Sequence, residues 1–95
     1  MTRTIHRLTI PVDGQWHTVA LHGPIVHVAT RQHRHVEIWF IDNDGACTPE
    51  ERRTFRAYGT GQPDVKGTHV GTAITPGGEL VWHLMERTDE MPVTQ

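Results

Sequence analysis

The stretch Val26–Asp42, VHVATRQHRHVEIWFID, decides the fold class. Its first part continues a short β-branched run that starts at Ile25 and reaches Thr30, as a strand does. Its last part alternates. Val36, Ile38 and Phe40 fall on one face of an extended chain, and Glu37, Trp39 and Ile41 on the other. Between the two runs lies the polar connection Gln32-His33-Arg34. Two β-rich runs with so short a link predict a hairpin. His33 and His35 would share a face only in extended chain, and a turn removes that relation. Apolar residues on both faces of Val36–Asp42 predict a central strand, covered at least in part on both sides.

The same alternation extends in both directions. Thr4–Ile10 reads as a strand with Ile5, Leu8 and Ile10 as its apolar members, and the shift between Ile5 and Leu8 leaves room for a bulge. Pro11-Val12-Asp13-Gly14 is turn chemistry. Gln15–Leu21 alternates again, with Trp16, Thr18 and Ala20 opposite His17, Val19 and Leu21, before Gly23-Pro24 breaks the chain. Downstream, Phe55 and Ala57 oppose Thr54, Arg56 and Tyr58. Gly59–Gly67 is a loop by composition, Thr68–Ile74 a strand, and Pro76-Gly77-Gly78 a turn. Glu79–Glu86 is the last strand, with Leu80, Trp82 and Leu84 on one face. One helical signal interrupts: Thr48 as cap, Pro49 at the first helical position and Glu51 closing a capping box predict a short turn near 48–52.

Seven strands with at most one helical turn predict an all-β, antiparallel sandwich or small barrel. It would be a single domain over 1–86 with a frayed tail at 87–95. With 36% apolar and 21% charged residues in 95, the chain suits a soluble globular domain. Cys47 is the one cysteine, so no internal disulfide forms and nothing points to an oxidising compartment. The start lacks a signal-peptide apolar run, and no segment reaches the roughly 20 apolar residues of a membrane span. The expectation is a cytoplasmic protein with no membrane partner.

Several chemistries are weighed and set aside. A zinc site needs three or four converging ligands, and His33 with His35 supplies only two, so no metal is expected. Asp42–Glu51 resembles a calcium loop, but its glycine falls fourth and not sixth. Gly59-Thr60-Gly61 lacks the following helix that a phosphate loop requires, so no cofactor is expected. Cys47 has acidic neighbours that raise a thiol pKa, and the chain contains no serine, so no enzyme is expected. A net charge of −2 argues against nucleic acid as partner, although seven arginines stand beside aromatics.

What remains is surface. Trp16, Trp39 and Trp82 are core anchors, unless one lies on a second, partly exposed face and marks a binding site. The candidate partner-binding residues are Trp39, Arg56 and Tyr58, with His33 and Arg34 at the hairpin tip, where a rigid sheet projects a loop. Lys66 is the single lysine available to guard sheet edges. Arg7, Arg31 and Arg56 are expected to serve as edge charge, and a homodimer through an edge or an aromatic face is expected.

The segments TIHRLTI, VHVATRQ, IWFID, RTFRAYGTGQP, HVGTAI and GGELVWHLME occur in that order. Over Thr4–Glu86 the chain resembles a small uncharacterised family encoded by tailed bacteriophages of actinobacteria and their prophages. The resemblance is most specific at Tyr58–Pro63 and Gly77–Glu86. It departs at the His33-Arg34 tip, where similar sequences place Asn-Gly. The family is a domain of unknown function, and the resemblance implies an all-β fold and a phage origin. With it comes the expectation of a non-enzymatic module that binds and modulates a host protein during infection or lysogeny, inside the host cytoplasm. A minor virion or assembly component is the alternative reading, and a small nucleic-acid-binding β domain the third.

Overall fold

The computed structural model describes residues 3–32, 34–42 and 51–87. They form seven strands and no helix: β1 (Thr4–Pro11), β2 (His17–Leu21), β3 (Ile25–Gln32), β4 (His35–Asp42), β5 (Glu51–Gly59), β6 (Thr68–Ile74) and β7 (Val81–Glu86). All pairings are antiparallel. One sheet has the order β1-β4-β3, the other β2-β5-β7-β6. The predicted helical turn meets β5 at Glu51 and Arg52, and its residues 48–50 lie outside the described residues. So does the tail from residue 88. Arg87 still donates its backbone N–H to the Thr54 carbonyl at 2.8 Å.

The core is built from one face of each sheet. The three-stranded sheet contributes Ile10, Val36, Ile38 and Phe40. The four-stranded sheet contributes Leu21, Phe55, Ala57, Ala73 and Leu84. Ile10, Val36, Ile38, Phe55 and Leu84 exclude water completely, and burying such side chains stabilises by roughly 1.5–3 kcal/mol each. β3 and β6 meet along one side of the sandwich, where Val28 sits directly over Gly71. A methyl added at Gly71 would lie 2.8 Å from Val28 Cγ2 and 2.9 Å from its Cβ. Gly71 thus sets how closely the two sheets approach there.

The hairpin forms where it was expected. Gln32 pairs with His35, leaving Arg34 and the undescribed His33 to connect β3 and β4. The buried hydroxyl of Thr30 shares its hydrogen between the carbonyls of Gln32 and His35, which ties the tip to the strand before it. A second tight turn joins β6 to β7. Gly77 and Gly78 both have positive φ, and buried Thr75 accepts from Leu80 N–H at 3.0 Å.

Three expectations change. β1 carries no bulge: its register with β4 runs unbroken from Thr4↔Asp42 to Pro11↔His35. Ile5 therefore shares a face with Arg7, pairs with Ile41 and is 62% exposed. Arg56 is no edge charge, because β5 lies between β2 and β7. Leu80 precedes β7 and is exposed, since the turn closed by Thr75 consumes the residues before Val81.

Candidate interaction surface

The outer face of the three-stranded sheet holds an unusual mixture. By register, Ile5, Arg7 and Thr9 of β1 stand opposite Ile41, Trp39 and Glu37 of the central strand β4, and Glu37 also faces Ala29 of β3. Glu37 is a charged residue in the middle of an apolar strand, and it is only 6% exposed. A carboxylate so placed must be paired. Arg31 closes on it as a fork, Nε to Oε1 and Nη2 to Oε2, both at 2.8 Å. Arg7 adds Nη1 at 3.2 Å from Oε2. The hydrogen bonds from Arg31 hold the Glu37 carboxyl below the usual carboxylate range against the opposing effect of burial, and Glu37 in turn raises the Arg31 guanidinium. Arg7 and Arg31 keep 46% and 63% of their side chains in water. Together with Thr9, Gln32 and His35, they line a cleft of about 280 Å³ above the buried carboxylate.

Next to this cleft lies Trp39. It is half-buried, with the His27 ring packed at 5.4 Å and tilted by 52°. Arg7 is its cross-strand partner on one side, and Ile41 and exposed Ile5 continue the apolar surface beyond it.

The outer face of the four-stranded sheet is different. Tyr58 is 2% exposed there, roofed by the Arg56 guanidinium 4.5 Å above its ring and met at its edge by Trp16 at 6.3 Å. Beside it runs a hydrogen-bonded chain across β6 and β7. Thr60 Oγ1 lies 2.9 Å from His83 Nε2, His83 Nδ1 lies 3.2 Å from Thr72 Oγ1, and Thr72 lies 3.0 Å from His69 Nε2. Among the described residues no three His, Cys, Asp or Glu side chains converge as a metal would require. Nor is any helix long and apolar enough to cross a membrane.

The candidate residues are thus divided. Trp39 is on one outer face, while Arg56 and Tyr58 lie together on the other, with the Tyr58 ring sealed. Arg34 is exposed at the β3–β4 tip, and His33 lies outside the described residues. The clamp of Arg7, Glu37 and Arg31 was not anticipated as a unit. Its signal was Glu37 itself, an acid between Val36 and Ile38 in a strand that must be central.

Fold and surface define a small two-sheet antiparallel β domain whose three-stranded sheet presents an outer face of mixed aromatic and cationic residues. The chain belongs to the family DUF7352, a domain of unknown function, whose model matches residues 1–95. No curated protein and no solved structure matches it.

Proposed function

We propose that this domain is a non-enzymatic protein-binding module of phage origin, which binds a host protein in the cytoplasm during infection or lysogeny. The observation that carries the reading is the Trp39 face. A half-buried tryptophan, an exposed isoleucine and two arginines sit on the outer face of the three-stranded sheet. Tryptophan and arginine are the side chains that most often carry binding energy at protein interfaces. They are presented on strands and not on loops, so little order is lost on contact. The phage origin rests on the resemblance of Tyr58–Pro63 and Gly77–Glu86.

The test is affinity capture from a lysate of the host, with wild-type and Trp39→Ala protein in parallel. A host protein retained by the first and lost by the second is expected, since removing such an anchor weakens binding by about 2 kcal/mol or more. Trp39→Ala should keep the fold. Equal capture by both proteins refutes the Trp39 face as the binding surface.

The edge strands β1 and β3 favour a second reading, a minor particle component that binds a repeated surface or its own copy. Mass spectrometry of purified particles separates the two. Many copies per particle support the structural role, and absence supports the host-directed one.

A further inference from the structure

We infer that the cleft formed by Arg7, Arg31 and His35 receives a carboxylate of the partner, so that the segment recognised is acidic, with an apolar side chain placed beside the acid. This rests on reading the Trp39 face as the binding surface, and adds the chemistry of what binds there.

The sign of the charge comes first. The chain as a whole carries −2, yet this end of the three-stranded sheet gathers Arg7, Arg31 and, at the adjacent tip, Arg34. Glu37 is the one acid on that outer face among the described residues, and it is buried. The nearest acid in the loop after β1, Asp13, is held by His17 at 2.8 Å. What the cleft shows to water is therefore cationic.

The second point is donor capacity. A guanidinium has five N–H groups. Arg31 spends its Nε and one Nη on Glu37, and Arg7 directs one Nη there. Among the described residues no other group engages the remaining donors of either, which leaves them to face the cleft. Glu37 acts as an internal fastener: it holds the Arg31 fork in one geometry before any ligand arrives, so less side-chain entropy is lost on binding.

The third point is size and shape. About 280 Å³ lies just below the range of small-molecule pockets, and it suits a single carboxylate with its stem. A planar carboxylate matches a guanidinium edge. Single-stranded nucleic acid asks for something else, a basic track along the backbone with open aromatic platforms. Here the cations converge on one point, and the adjacent ring, Trp39, is half-buried with the His27 ring packed against it at 5.4 Å. Because Trp39 and Arg7 are cross-strand partners, an apolar side chain on Trp39 places its neighbouring acid over the cleft.

The experiment is selection of a random-peptide display library on the folded full chain, followed by affinity measurement on the recovered peptides. Expected are sequences with Asp or Glu next to an aromatic or aliphatic residue. Binding should weaken at least about tenfold when the acid becomes its amide, or when the protein carries Arg7→Gln. It should also fall with salt. Arg7→Gln leaves the Arg31–Glu37 fork in place, and unchanged thermal unfolding confirms that the fold survives. Arg52→Gln, on the other sheet, should bind as wild type. Recovered peptides that need Trp39 but contain no acid overturn the carboxylate site and leave the protein-binding reading standing. Peptides indifferent to both Trp39 and Arg7 overturn both. Oligothymidylate that binds more tightly than any peptide, through Arg7 and Trp39, replaces a protein partner with nucleic acid.

Discussion

Gly71 is where the packing of the two sheets can be tested most directly. Its φ is not in the left-handed region, so nothing in the backbone requires glycine there. On propensity alone, Gly71→Ala in a strand interior should stabilise by roughly 0.5–1 kcal/mol. The neighbour decides otherwise. The new methyl would sit 2.8 Å from Val28 Cγ2 and 2.9 Å from Val28 Cβ. Carbon atoms pack best at about 3.5–4.0 Å, so the overlap is close to an ångström. A Cγ can rotate away, but Cβ is fixed to the backbone, and β3 must move. Overpacking of this kind costs about 1–3 kcal/mol. For a domain of this size, that lowers the melting temperature by about 4–8 °C for each kcal/mol. Urea unfolding followed by tryptophan fluorescence, with thermal unfolding alongside, measures it. In a Val28→Ala background the Cγ2 contact is gone and the Cβ contact remains, so the penalty should shrink by roughly half, a coupling of about 0.5–1.5 kcal/mol. A neutral or stabilising Gly71→Ala at unchanged m-value would refute the packing of β3 on β6. An equal penalty in both backgrounds would show that the γ-methyls of Val28 are not the cause.

The Glu37 carboxyl is lowered by its Arg31 hydrogen bonds, so its contribution is complete above the unfolded carboxylate pKa of about 4.3 and is lost as pH falls through the lower folded value. Urea midpoints should fall as the pH drops below the unfolded carboxylate value, and Glu37→Gln should be less stable at neutral pH with a shallower acid slope; identical slopes would remove the clamp as a source of stability. Gly67→Ala should be much worse than Gly14→Ala. Both glycines have positive φ, but a methyl at Gly67 would collide with the Glu86 carbonyl, whereas Gly14 has nothing within 4 Å. Gly14→Ala should cost about 1–2 kcal/mol, and a similar value for Gly67→Ala in denaturant titrations would contradict the close approach of that loop to β7.

Much of the fold was legible because alternation reports faces directly. Val36, Ile38 and Phe40 point inward, as do Phe55 with Ala57 and Val19 with Leu21, and Thr68–Ile74 is a strand with the expected bounds. Alternation does not report neighbours. That β1 lies beside β4, or that β5 lies inside its sheet, depends on pairings between distant segments, and so Arg56 was read as edge charge. Ile5 was read as inward because it is apolar, which required a bulge. In fact the strand is regular, so Ile5 falls on the outer face with Arg7. Tyr58 shows the same limit from the other side. An outer-face position predicts exposure, and only Trp16, from the loop before β2, together with Arg56 explains its burial. The candidate surface was half visible. Trp39 stood out by residue type, and the hairpin brings Arg31 beside Glu37, but the clamp also takes Arg7 from β1, whose place beside β4 no local pattern encodes.

The strand order also governs what the chain can complete as it is synthesised. The sheet β1-β4-β3 has all its strands once Asp42 has been made. The strand β2 belongs to the other sheet, and it has no ladder partner until β5 exists. A nascent chain at that stage has every strand of one sheet, whose apolar side, Ile10, Val36, Ile38 and Phe40, would lack the second sheet that covers it. If the first sheet forms before the second, its uncovered apolar face is the aggregation-prone stage of synthesis, and it lasts until β5, β6 and β7 have been made.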